Sequence, residues 1–250
     1  MLRGRWAAQV STDPLGGEKS MSRSQVVPAL VGLALAWGGT ALLASPAGRL
    51  LGSPERITTK CLEQVALWLL FAAIVAIVVS WEKQPLASLW LRPLDGKSVA
   101  WGLLFALATI CVVIPATEWV RRAAGLAGYA AGVEQVLALP IWFRVVAVIT
   151  AGVVEETLFR GYAVTRLTLL TGSLWFAGAL SVAIFAGLHL PFWGAGPTLS
   201  FLLGGVVSTA FFIWRQDLLA MIVGHTFVDA WGLVLTPLFS EWWKEGNVPS

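Results

Sequence analysis

Apolar residues dominate this chain in runs of about twenty, the length a helix needs to cross a hydrocarbon core. The first three extend from about Val26 to Ala44, from Leu62 to Ser80 and from Ser98 to Ala116. A fourth begins near Leu139, carries charges midway and continues as one long helix to Leu170. Thr171 and Gly172 break the chain, and the fifth run, Ser173 to Leu190, is expected to stop at Pro191 and the Gly/Pro-rich PFWGAGP stretch. The sixth run spans Pro197 to Trp214 and the seventh Leu218 to Phe239. Between the third and fourth, Glu118 to Ala138 is Ala/Gly-rich and holds Arg121, Arg122 and Glu134, which fits a surface helix or an eighth, partial span. The pattern predicts an all-α, polytopic membrane helix bundle of about seven or eight transmembrane helices.

Composition sharpens this. Of 250 residues, 57% are hydrophobic and 12% charged, against about 45–50% and about 25% in soluble domains. That excludes an ordinary water-soluble globule, and equally a disordered chain. A single transmembrane domain, 26–240, is expected between a polar N-terminal tail, 1–25, and a short C-terminal tail, 241–250. The first run is long and has no small-residue cleavage site soon after a short core, so it reads as an uncleaved anchor. The net charge of +3 is spread over loops with no basic run, which argues against a nucleic-acid partner. Among fourteen tryptophans, Trp81, Trp119, Trp142, Trp175, Trp193, Trp214, Trp242 and Trp243 fall near the ends of apolar runs, where the indole ring favours the bilayer interface. Cys61 and Cys111 lack CxxC or CxxxH spacing and read as small core hydrophobes. With a cytoplasmic N-terminus, ten Lys and Arg fall on that side and six on the other, a weak bias. An integral protein of a prokaryotic plasma (inner) membrane is expected.

Candidate chemistry lies in three of the runs. The fourth holds Glu155, Glu156 and Arg160, the fifth His189, the seventh His225 and Asp229; both histidines of the chain are in this set. Charges inside a span cost about 2.5–3.5 kcal/mol on insertion scales and mark function by default. Glu156 and Arg160 are four apart and share a helix face, acid first, so Arg160 is the natural counter-charge of Glu156. Glu155, about 100° around the helix, has no local partner and reads as the free carboxylate. Phe185 with His189, and His225 with Asp229, are likewise one turn apart; Phe185 reads as packing. Arg166 reads as an interface anchor, and Tyr162 has no assigned role. Glu155 lies 17 residues before Gly172 and His189 lies 17 after it, so the two should be level across a helical hairpin, about 25 Å from the turn. Counted from Gln216, His225 and Asp229 are about 13 and 20 Å deep, a looser match. Such a cluster forms a hydrolytic site or an ion path, with a desolvated Glu suited to taking a proton from water.

These residues carry a resemblance. GVVEETLFRGY (Gly152 to Tyr162), FAGLH (Phe185 to His189) and HTFVD (His225 to Asp229) resemble the motifs EExxxR, FxxxH and HxxxN/D of the CPBP family. That family comprises the CAAX prenyl proteases and bacteriocin-processing enzymes, all-helical intramembrane endopeptidases. The resemblance covers roughly Val145 to Leu235. It implies that Glu155 activates water with help from His189, that Glu156 and Arg160 form a supporting pair, and that His225 and residue 229 line an oxyanion site. Asp229 stands where Asn is common. An ionised Asp only accepts hydrogen bonds, so Asp229 is neutral, or orients His225, or joins Glu155, His189 and His225 as donors to a zinc ion. No obligatory cofactor is expected; zinc is the alternative. The expected partners are a protein or peptide substrate, lipid-modified or not, and membrane lipid. The expected activity is glutamate-dependent (or metallo-) intramembrane proteolysis. Its rivals are a non-catalytic scaffold or immunity protein of the same fold, whose motif side chains would stand apart, and a proton-coupled transporter.

Overall fold

The computed structural model describes residues 22–45, 51–53 and 56–239. The tails 1–21 and 240–250, with Trp242 and Trp243, lie outside the described residues. Eight longer helices follow one another: α1 (Arg23–Ala44), α2 (Ile57–Trp81), α3 (Gly96–Ala123), α4 (Ala130–Leu137), α5 (Ile141–Thr171), α6 (Leu174–Trp193), α7 (Ala195–Arg215) and α8 (Leu218–Phe239). A short 3-10 turn, Leu86–Leu89, lies between α2 and α3. No strand occurs among the described residues. The protein is an all-α bundle.

Six of these helices are long and apolar enough to cross a membrane, or seven if α4 and α5 count as one bent span. An eighth span is not present among the described residues. The undecided segment Glu118 to Ala138 divides instead: its first part prolongs α3 to Ala123, and α4 is a short helix set at 119° to α5. Pro140, extended at the N-cap of α5, makes the corner.

Helix ends follow local chemistry. Gly172, at φ 73°, ends α5 in the left-handed conformation that favours glycine. Ser173 then caps α6, its Oγ accepting the Phe176 amide at 3.3 Å. α6 does not stop at Pro191. It carries the proline within its last turn and ends at Gly194, φ 79°, because a proline near a helix end removes only one hydrogen bond. The two cysteines are not core: Cys111 is exposed and Cys61 half-buried, on helices whose outer faces meet the apolar phase. Trp81, Trp119, Trp142, Trp175 and Trp214 are exposed at helix ends as an interface belt requires. Trp193 differs, since it is half-buried and its ring lies where a side chain on Gly132 would go.

α5 is the axis of the bundle, packed by α1, α2, α6 and α8. Residues 156–167 are buried without interruption, so this helix has no outward face along that stretch. It is also widened to i→i+5 hydrogen bonding over Ala151–Val164, a form that recurs at functional sites. Two glycines allow the close approaches: a Cβ on Gly152 would collide with Thr226 Oγ1 of α8, and one on Gly32 with the Tyr162 hydroxyl.

Candidate active site

The widened stretch of α5 presents both glutamates and Arg160. Arg160 Nη1 donates to Glu156 Oε1 at 3.1 Å, both side chains buried, as the four-residue spacing requires. The same oxygen accepts from His225 Nδ1 of α8 at 2.7 Å. Glu156 is therefore held through Oε1 alone, while its Oε2 is buried with no hydrogen-bond partner among the described residues. Arg160 Nη2 also reaches Ser208 Oγ on α7 at 3.3 Å.

His225 meets Glu156 because α8 starts deep in the bundle. Asp217 and Leu218 are buried, the Leu218 amide donates to the Trp90 carbonyl at 2.9 Å, and a Cβ on Gly161 would touch the Leu218 side chain. Leu218 is thus level with Gly161 rather than with the end of α5. Seven residues on, His225 arrives at the height of Glu155 and Glu156. The depth counted from Gln216 missed this, because nothing local tells a turn at the surface from one sunk into the bundle.

α6 keeps the register read from the hairpin. Phe159 stacks edge-on against Phe185 at 5.2 Å, and these rings lie one turn from Glu155 and from His189 respectively. Phe185 also carries the Arg160 guanidinium 4.5 Å above its ring and the His189 ring at 4.5 Å, so it packs and pairs with a cation at once. His189 Nδ1–H donates to the Phe185 carbonyl at 2.8 Å. A carbonyl only accepts, so the neutral ring keeps its lone pair on Nε2. Phe201 of α7 covers the other side at 4.6 Å.

Glu155 is half-buried, and no hydrogen bond or ion pair holds its carboxylate among the described residues. His189, His225, Asp229 and Glu156 all lie near enough to act on it electrostatically. Asp229 Oδ2 lies 3.4 Å from His225 Nε2, the geometry of an orienting partner. Taken as metal ligands, Glu155, His189, His225 and Asp229 do not fit: no three His, Cys, Asp or Glu among the described residues gather on one point. Both nitrogens of His225 already face carboxylates.

A second buried polar cluster escaped sequence reasoning. Arg166 is not an interface anchor; it is 1% exposed and gives Nε and Nη2 to Glu82 Oε2 at 2.9 and 2.6 Å. Its remaining donors reach the Ser88 carbonyl and hydroxyl. Tyr162 donates to Glu82 Oε1 at 2.8 Å. Glu82 stands at the edge of an apolar run, where a solvated acid is the ordinary expectation, so only the fold reveals the pairing.

Compared with known proteins, residues 137–231 match the family model described as type II CAAX prenyl endopeptidase Rce1-like. The match spans the three motif segments and supports the CPBP resemblance. No curated protein matches the chain, and no solved structure does.

Proposed function

We propose, with that Rce1-like match as the premise, that the protein is an intramembrane endopeptidase in which Glu155 activates the water that attacks a peptide bond. The observation that supports it is the meeting of three helices around the Glu156–Arg160 pair, with Phe185 of α6 under Arg160 and His225 of α8 on Glu156 Oε1, directly beside a carboxylate, Glu155, that has no partner among the described residues. Glu155 takes a proton from water while the lone pair of His189 Nε2 holds that water in place. The hydroxide oxygen bonds to the carbonyl carbon, and the developing oxyanion accepts from the Nε2–H of His225, which the 3.4 Å approach of Asp229 orients without holding, while Nδ1–H stays fixed on Glu156. Collapse breaks the C–N bond, and Glu155 returns its proton to the leaving amine. Arg160 takes no part in proton transfer; it balances Glu156 and stacks on Phe185.

The scaffold reading would have the motif side chains too far apart to share one water; against it, Arg160, Glu156, His225 and Asp229 are in contact, and Phe159 and Phe185, one turn from Glu155 and His189, pack on each other. The test is a comparison of new peptide termini in membranes carrying wild type or Glu155→Gln, with melting of both purified proteins as the folding control. Glu155→Gln is expected to lower cleavage by about 10²- to 10⁴-fold, the value of a general base, at unchanged melting temperature. Equal cleavage by the folded variant would overturn the assignment.

A further inference from the structure

The end of the bundle where α3 and α8 begin and α7 finishes carries two arginines, Arg92 and Arg215, of which the first holds the backbone of the second. Arg92, in the segment before α3, donates from Nε to the Gln216 carbonyl at 3.1 Å and from Nη2 to the Arg215 carbonyl at 3.0 Å. It thereby caps the C-terminus of α7. The Arg215 guanidinium lies against two indoles that pack edge to face on each other, 4.4 Å from the ring of Trp101 and 5.3 Å from that of Trp214. Its Nε is buried and has no hydrogen-bond partner. Among the described residues neither arginine forms an ion pair.

The acids nearby are otherwise engaged. Asp95 accepts the Ser98 amide at 2.7 Å, and Asp217 accepts the Ser98 hydroxyl at 2.6 Å and the Ala220 amide at 3.1 Å. Arg92 grips the backbone of Arg215, so both cations belong to one corner of the bundle, and guanidinium matches phosphate oxygens through paired N–H donors. Position selects the source of that phosphate. Trp214 is 64% and Leu94 79% exposed here, at the ends of helices long enough to span, where basic pockets between helices meet lipid headgroups.

We propose that Arg92 and Arg215, framed by Trp101 and Trp214, bind the phosphate of an anionic lipid headgroup at this corner. The two indoles keep the Arg215 guanidinium at the depth of the headgroup. Arg92 fixes the turn after α7, so the bound lipid steadies the point from which α8 descends to His225. The proposal rests on this corner alone and stands whether or not the chain is a protease.

The test is native mass spectrometry of the purified full chain, titrated with dioleoylphosphatidylglycerol, with dioleoylphosphatidylcholine or with inorganic phosphate. Wild type is expected to retain phosphatidylglycerol in preference to phosphatidylcholine. Arg92→Gln/Arg215→Gln is expected to lose roughly 30-fold in phosphatidylglycerol binding, the value of two cations at an anionic surface. Arg215→Gln alone removes no hydrogen bond within the protein, so it keeps the fold should loss of the Arg92 cap prove damaging, and it is expected to lose part of the preference. Lys83→Gln, a cation on the same end outside the pair, is expected to bind as wild type. Equal retention of both lipids, or an undiminished preference in the folded Arg215→Gln and double variants, overturns the site. Displacement of the lipid by inorganic phosphate alone assigns a free-anion site and overturns the lipid.

Discussion

Glu156 Oε1 holds two cationic or polar hydrogens at once, from Arg160 and from His225, while the adjacent Glu155 holds none. The two glutamates should therefore respond differently to the same change. Glu155→Gln removes chemistry and leaves packing alone. Glu156→Gln leaves a buried guanidinium facing a neutral amide, and breaking one side of a buried pair costs about 3–5 kcal/mol. Thermal melting of the two variants is expected to separate them, with Glu156→Gln markedly destabilised and Glu155→Gln like wild type. Equal melting of both would show that Glu156 is not the electrostatic keystone of the three helices. The Glu156–Arg160 pair was legible from a four-residue spacing, and the freedom of Glu155 from its place around the helix. The bond from His225 was not, since it depends on where α8 starts in depth.

At the scale of elements, α5 is held at both ends of its buried stretch by contacts that sequence spacing hides. Near the site, Gly152 lets α8 approach until Thr226 fills the place of its missing side chain. Gly152→Val should push α8 away and lengthen the His225–Glu156 contact, with a cost of about 1–3 kcal/mol from overpacking and loss of cleavage. A Gly152→Val/Thr226→Ala pair is expected to regain part of both, as read by melting and by new termini. Farther along, Glu82 and Arg166 tie the α2–α3 connection to α5 across 84 residues of sequence. Glu82→Gln is expected to destabilise by about 3–5 kcal/mol; an unchanged melting temperature would leave Arg166 without its supposed need for that partner. Hydropathy placed the spans within a few residues because burial in lipid imposes a long apolar run. It could not place Glu82, whose environment is made by a loop folded back into protein. The N-cap of α3 gives a milder test. The Ser98 amide beside Asp95 holds that carboxyl below its usual range, so the ionised form favours the folded cap. That contribution is present above the ordinary aspartate pKa and is lost as pH falls below about 4. The protection of the Ser98 amide, the intrinsic exchange rate at each pH divided by the measured one, should fall over that window in wild type and stay flat in Asp95→Ala, where the cap is already gone.

For the whole molecule, the question is which membrane face the site adjoins. His189 is four residues from the C-terminal end of α6 and fifteen from its start, so the site lies nearer the end of the bundle where α5 begins and α6 finishes. The opposite end carries exposed Lys83, Arg92 and Lys97. The earlier count of Lys and Arg put ten on that opposite side. Burial removes Arg160 and Arg166 from it, because a cation paired inside the bundle does not meet the translocation machinery as a loop charge. Arg121, buried and paired with Glu118, leaves the other side on the same ground, so eight against five remains, the N-terminal tail included. The sign of the bias survives, and on that sign the Lys97 end is expected in the cytoplasm and the His189 mouth toward the other face. Cysteines introduced singly at Lys97 and at Arg122, near the two ends of α3, should then react with a membrane-impermeant maleimide from opposite sides in Cys61→Ala/Cys111→Ala protein: Arg122→Cys in intact cells, Lys97→Cys only after permeabilisation. The reverse pattern would turn the site toward the cytoplasm. It would also mean that side-chain pairing within the bundle, rather than loop charge, had set the orientation.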